Sequence, residues 1–253
     1  MATPTTTHPE PIYRVATLDD IDGIGECGAD AMMEDDLFGA LYPRRKSNPA
    51  QFSGYFRKRA RQRIVDHNIV TLVAELPVVG EDGLERKMIA GFAQWQRFGG
   101  YSVETKWDPL KAAGSKIISF QDWAYSFIEP KDETSDPQAI AEFMEDFEEL
   151  ENRYWRKDGK EHDRWHLQLL AVHSSARRRG IGGRLVELGV EKARRDGCDA
   201  SLEASPMGLP LYKSKGFEVI GNYTMKVKGP DGNGIPTPVL LWKNPNTVDS
   251  SKA

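Results

Sequence analysis

Apolar positions along this chain follow two rhythms, one of period two and one near 3.6, and their succession sets the expected fold. Residues Ile12 to Ala16 alternate as a short strand, and Thr17 with Asp20 forms a helix start for a run from Leu18 to Phe38. A second helix is predicted from Pro49 to about His67. IVTLVAEL (69–76) and MIAGFAQWQRF (88–98) are strands separated by the turn formers Gly80 and Asp82-Gly83, which makes a hairpin. From Gly99 to Trp165 the rhythm breaks. Trp107, Trp123, Tyr125 and Phe127 lie in an irregular stretch, followed by an acidic helix that Ser135 or Asp136 caps, with Pro137 in its first turn. HLQLLAV (166–172) then reads as a buried strand, HSSARRRGIGG as a turn and RLVELGVEKARRDG as an amphipathic helix ending at Gly197. ASLEAS is a strand, GLPLYKSKGF a short helix ended by Gly216, and FEVIGNYTMKV and PVLLWK are two more strands.

Composition limits what this pattern can do. At 253 residues with 39% apolar content the chain can bury one large core. The reading is a single domain over 11–244, with disordered tails at 1–10 and 245–253 and an insertion at 99–165 that covers an acceptor site. Lys and Arg total 34 against 38 Asp and Glu, so the net charge of −4 gives no general attraction to nucleic acid. Cys27 and Cys198 stand far apart without metal-ligand spacing, which suits a reducing compartment and predicts no metal. The start MATPTTTHPEP has no basic and no apolar signal region, and no run approaches 18 apolar residues, so the expectation is a cytoplasmic chain with no membrane partner.

ARRRGIGGRL (176–185) carries the chemistry. No Walker A run exists, and the dinucleotide fingerprint fails where its third glycine would be Leu185. The pattern [QR]-x-x-G-x-[GA] fits from Arg177 to Gly182, between a predicted strand and a predicted helix. Glycines there let backbone N–H groups approach an anion, and the helix N-terminus adds partial positive charge. The arginines are either part of that seat or a solvated basic patch.

LLAVHSSARRRGIGGRLVELGVEKARRDG followed by SPMGLPLYKSKGFEVIG resembles the GCN5-related N-acetyltransferase (GNAT) superfamily in its cofactor-binding half. The resemblance implies an α/β fold: a mixed, mostly antiparallel twisted sheet flanked by helices on both faces, the insertion lying between the third and fourth strands. It implies acetyl-CoA or another acyl-CoA as co-substrate, with Leu170, Ala171 and Val172 beside the pantetheine arm. Arg177, Arg178, Arg179, Gly180, Ile181, Gly182 and Gly183 then surround the pyrophosphate. Tyr212 falls where family members often protonate the departing thiolate, although a tyrosine simply packed under the strand fits the same position. Ser205 stands where many members carry asparagine, and its hydroxyl is expected near the pantetheine.

The acceptor side is less determined. Glu203 shares strand parity with Ser201 and Ser205, so it either faces the cleft and helps deprotonate the amine or is a solvated strand residue. His173 opens the turn, where an exposed role is the ordinary one. The acidic run EFMEDFEELE (142–151) is a solvated face or an attraction for a cationic amine. The implied activity is N-acetyl transfer to a small-molecule or protein amine. The alternative is an acyl-CoA-binding sensor without turnover.

Overall fold

Seven strands share one sheet in the computed structural model, which describes residues 9–80, 82–100, 114–121 and 132–246. In chain order the elements are β1 (Ile12–Val15), α1 (Ile21–Ala31), α2 (Asp36–Leu41), α3 (Pro49–Val65), β2 (Ile69–Val79) and β3 (Glu85–Phe98). A helical stretch at 114–121 (α4) and α5 (Pro137–Leu150) follow, then a π-helical turn at Glu151–Trp155 and a small hairpin of β4 (Arg156–Lys157) and β5 (Lys160–Glu161). The last part holds β6 (Arg164–Val172), α6 (Ile181–Arg195), β7 (Asp199–Glu203), α7 (Leu209–Ser214), β8 (Glu218–Lys228) and β9 (Gly234–Trp242).

The sheet order is β1-β2-β3-β6-β7-β9-β8, and every neighbouring pair is antiparallel except β6 with β7. Strand β2 is buried without a break from Ile69 to Leu76 because helices cover both faces of the sheet. On one face Val70, Leu72, Ala74 and Trp95 pack with Ile181, Leu185 and Val186 of α6. On the other, Val73, Ile89 and Phe92 pack with Ile24 and Cys27 of α1 and Phe52 and Phe56 of α3. Helix α6 lies close to the sheet because position 189 has no side chain: a Cβ there would sit 2.0 Å from the ring of Trp95.

The run predicted as one helix over 18–38 is broken. A 3-10 turn occupies Leu18–Asp20, α1 ends at Ala31, and α2 starts afresh at Asp36. Asp35 takes an extended conformation and its Oδ1 accepts from Phe38 N at 2.9 Å, so the short acid caps a new helix instead of continuing the old one. Arg45 Nε donates to Met33 O at 2.8 Å and satisfies a carbonyl left by the break.

The acidic helix α5 starts as expected, with Asp136 accepting from Gln138 N and Ala139 N. Its acidic run does not form a uniformly solvated face. Asp146 is fully buried against β8, accepting from Tyr223 Oη at 2.8 Å and Lys226 N at 2.6 Å. Beyond α5, Glu151 takes two 2.8 Å bonds from Nη2 of the fully buried Arg164, whose guanidinium lies 4.4 Å from the Phe98 ring centroid and 4.7 Å from that of Trp155. That ion pair fastens the end of the 99–165 segment to the first residue of β6. Trp107, Trp123, Tyr125 and Phe127 lie outside the described residues.

Candidate active site

Strands β6 and β7 run parallel but share only three register pairs, Arg164 with Asp199, Trp165 with Ala200 and His166 with Ser201. They then diverge: β7 ends at Glu203 while β6 continues to Val172, leaving the β6 edge from Leu167 onward without a strand partner. Unpaired backbone N–H and C=O groups on that edge suit an extended ligand that brings amides of its own. Gln168 adds a bulge to β6, since Leu167 pairs with Trp95 and Leu169 with Gln94.

At the far end of this open edge lies the turn expected to seat an anion. His173 accepts from Ser175 N and caps a 3-10 turn at Ser174–Ala176. Two residues then take left-handed backbone, Arg178 at φ 64° and Gly180 at φ 76°, the second serving as N-cap of α6. A non-glycine residue with positive φ is uncommon, and Arg178 takes it directly after the extended Arg177 (φ −61°, ψ 158°). Arg184 N makes the first helical bond to Gly180 O at 3.0 Å, so the N–H groups of Ile181, Gly182 and Gly183 have no carbonyl one turn earlier in the helix. A Cβ on Gly182 would meet Val172, Leu211 and Leu170 at 3.5–3.7 Å, ordinary contact distances. The seat therefore adjoins the open end of β6, and the protein's own packing does not require glycine at 182.

The three arginines differ in use. Arg177 Nη2 donates to Ala31 O at 3.3 Å and Arg179 Nη2 to Pro9 O at 2.6 Å, so both tie the loop to neighbouring chain. Arg178 is exposed and has no polar partner among the described residues.

Opposite the open edge, Tyr212 of α7 lies in the apolar core, edge-on to Phe217, and a Cβ on Gly208 would meet its ring at 3.1 Å. Burial pushes its phenol pKa up to about 12. Ser205 Oγ accepts from Gly208 N at 3.1 Å and so closes the turn into α7. Tyr212, Ser205, Glu203 and Leu170 all border one cavity of about 360 Å³, which lies in the gap between β6 and β7.

Glu203 is not a solvated strand residue. Its Oε1 accepts from Trp155 Nε1 at 3.3 Å and its Oε2 lies 3.1 Å from Nε2 of the buried His166, whose Nδ1 is 2.8 Å from Ser201 Oγ. Burial opposes ionisation of this carboxyl, but the charge and hydrogen bond of His166, then Trp155 and Arg164, outweigh it and hold the pKa below the usual glutamate value. The sequence reading missed His166, Trp155 and, on the same cavity, Arg59, Arg63, Gln94 and Gln168. A signal existed: His166 and Gln168 are polar positions inside an otherwise apolar strand, and Tyr55, Arg59 and Arg63 recur every four residues along α3. Helix α5 closes the cavity with Phe143, Met144, Phe147 and Leu150.

Residues 118–217 match the family described as Acetyltransferase (GNAT) family. That match, with the likenesses that follow, supports the GNAT superfamily. A protein of Stachybotrys chartarum named acetyltransferase is 25% identical over 236 residues, covering 91% of this chain and 90% of its own length. Among solved structures, the histone acetyltransferase HPA2 and related acetyltransferase of Corynebacterium glutamicum superposes with a TM-score of 0.55 at 21% identity, covering 95% of this chain and 99% of that one. The yncA protein of Salmonella typhimurium, solved with its cofactor acetyl-CoA, gives 0.50 at 14% identity over 96% of each chain. These likenesses agree with the mixed, mostly antiparallel sheet flanked by helices. The family match and the named relative support an acetyltransferase.

Proposed function

We propose that this chain transfers an acetyl group from acetyl-CoA to the nitrogen of an amine by direct attack in a ternary complex. What carries the reading is the convergence of three features on one gap: the unpaired edge of β6, the left-handed turn at Arg178 and Gly180, and a cavity bordered by Glu203 and Tyr212.

Backbone groups of Leu170, Ala171 and Val172 hold the pantetheine arm in place of a missing strand. The N–H groups from Arg178 to Gly183 receive the diphosphate, with Arg178 supplying a free cation at the rim. Bound acetyl-CoA supplies a thioester carbonyl open to attack by a neutral amine. Glu203, ionised at neutral pH and buttressed by Trp155 and His166, attracts the ammonium form and takes up the proton the nitrogen gives away. A backbone N–H near Ala171 or Val172 stabilises the negative charge that develops on the carbonyl oxygen. Tyr212, protonated across the neutral range because its pKa is about 12, donates to the departing thiolate.

Calorimetric titration with acetyl-CoA, comparing wild type with Gly182→Glu, tests the seat; thiol release across a panel of amines tests the chemistry. The expected result is wild-type binding, at least tenfold weaker in the variant, and thiol release with some amines. Absence of wild-type binding refutes the proposal, and binding without thiol release from any amine favours a sensor.

A further inference from the structure

Helix α3 carries Tyr55, Arg59 and Arg63 at a spacing of four, so all three share one face, and that face borders the cavity. Arg63 donates to Gln94 Oε1 and, at 3.4 Å, to Gln168 Oε1, both neutral amide oxygens. Among the described residues no carboxylate lies within ion-pair distance of Arg63 or Arg59. Burial, with Arg59 nearby, pushes the Arg63 pKa down to about 10, which still leaves it charged at neutral pH. The two carboxylates on the same cavity are already engaged. Asp35 caps α2 through Phe38 N, and Glu203 accepts from Trp155 and pairs with His166.

The cavity thus holds toward α3 the largely buried Arg63 guanidinium, with no ion-paired carboxylate among the described residues, beside the more exposed Arg59, and a fixed carboxylate at Glu203. A desolvated cation without a counter-charge is costly, and a forked guanidinium matches a carboxylate in geometry. The anion is not the cofactor's diphosphate. Gln168, which Arg63 touches, lies four residues before Val172, about 13 Å along the strand from the end of β6 that adjoins the seat. Elsewhere the cavity wall is apolar, with Leu37, Phe38, Phe143, Phe147 and Met225, and its volume of about 360 Å³ falls in the range of small-molecule sites.

We infer that the acceptor is a free amino acid with a bulky apolar side chain, its carboxylate received by Arg63 and Arg59 and its amine directed to Glu203. The inference rests on the acyl-transfer reading above and adds the substrate class. A zwitterion matches the charges of the cavity at both ends, and an aromatic or branched side chain fills the apolar wall.

The test compares acids with their neutral counterparts in two readouts. Thiol release from acetyl-CoA is measured with phenylalanine, leucine, phenylalaninamide, phenethylamine and glycine. Binding of the matching products, N-acetylphenylalanine against N-acetylphenylalaninamide and N-acetylphenethylamine, is measured by calorimetry and needs no turnover. The expected result is at least a tenfold preference for the carboxylate-bearing partner in kcat/KM and in product Kd, with glycine poor. Arg63→Gln is expected to abolish that preference without changing acetyl-CoA affinity, and Arg63→Lys to retain part of it. Should Arg63→Gln fail to fold, Arg59→Gln on the exposed part of the same face serves, with a smaller loss in the same direction. Equal binding of acid and amide, or an unchanged preference in both glutamine variants, overturns the inference. Loss of wild-type acetyl-CoA binding refutes the acyl-transfer reading instead, and the product comparison still decides the acceptor class.

Discussion

Replacing Arg164 by methionine breaks the buried pair with Glu151 that anchors the segment before β6, along with a 3.2 Å contact from Nη1 to Glu161. Both members are buried, with side-chain exposures of 0% for Arg164 and 4% for Glu151, and the two contacts from Nη2 are 2.8 Å. Methionine fills most of the volume but leaves the Glu151 carboxylate without its counter-charge, a loss of about 3–5 kcal/mol for breaking a buried pair from one side. Losing the guanidinium from between Phe98 and Trp155 adds to this. Such a loss is a large fraction of the ~5–15 kcal/mol that stabilises a typical domain. Urea unfolding followed by tryptophan fluorescence reads it as a shift in midpoint at constant slope. The double variant Arg164→Met/Glu151→Leu removes the stranded charge, so most of the loss returns, with a coupling of at least ~2 kcal/mol. A pH dependence follows. Burial raises the Glu151 pKa even with Arg164 present, and an unfolded glutamate titrates near ~4.3. A carboxyl whose folded pKa lies above its unfolded value destabilises the fold once pH exceeds the unfolded value, as the unfolded chain ionises more readily. The gap between wild type and Arg164→Met therefore narrows as pH falls from 7 toward 4. A single-variant loss below ~1 kcal/mol, or a double variant as unstable as the single, refutes the assignment.

Two further outcomes check the site and its scaffold. Tyr212→Phe keeps the ring packed against Phe217 and removes only the proton donor, so kcat falls about 10²–10⁴-fold while urea stability and acetyl-CoA affinity hold; an unchanged kcat removes Tyr212 from catalysis. Gly189→Ala puts a Cβ 2.0 Å from the buried Trp95 ring and costs about 1–3 kcal/mol in urea unfolding, whereas Gly182→Ala meets only ordinary contacts and leaves stability within ~0.5 kcal/mol while weakening acetyl-CoA binding in calorimetry.

Cavity residues were harder to read from the chain than the anion seat was. The seat is contiguous: Arg177 to Gly183 lie side by side in sequence, and glycine at a strand-to-helix turn has a local physical meaning that needs no partner. The charges of the cavity are assembled from distant elements, Arg63 from α3, Gln94 from β3, His166 and Gln168 from β6, and Glu203 from β7. Each alone has an ordinary reading. Glu203 shows why parity was insufficient: alternation placed it on the correct side of β7, but nothing local indicated that Trp155 and His166 would engage its two oxygens.

The helix break before Asp35 and the docking of Asp146 on β8 follow the same division. Short-range preferences predicted α3, the β2–β3 hairpin and the amphipathic α6, because hydrophobic period and capping act within a few residues. They predicted one helix over 18–38, where the chain caps a second helix at Asp35. They also left the face of α5 undecided, because only contact with Tyr223 and Lys226 of a later strand buries Asp146.

What the sequence determined by itself was the order of elements, the buried character of the central strands and the glycine turn that suits a diphosphate, all set by interactions between near neighbours. The splaying of β6 from β7 after three shared pairs, and the meeting of Arg63 with Glu203 across the resulting cavity, were decided only in the tertiary structure. The reason is physical: strand partnership and charge compensation are properties of surfaces brought together by folding, and a residue carries no local mark of which surface it will face.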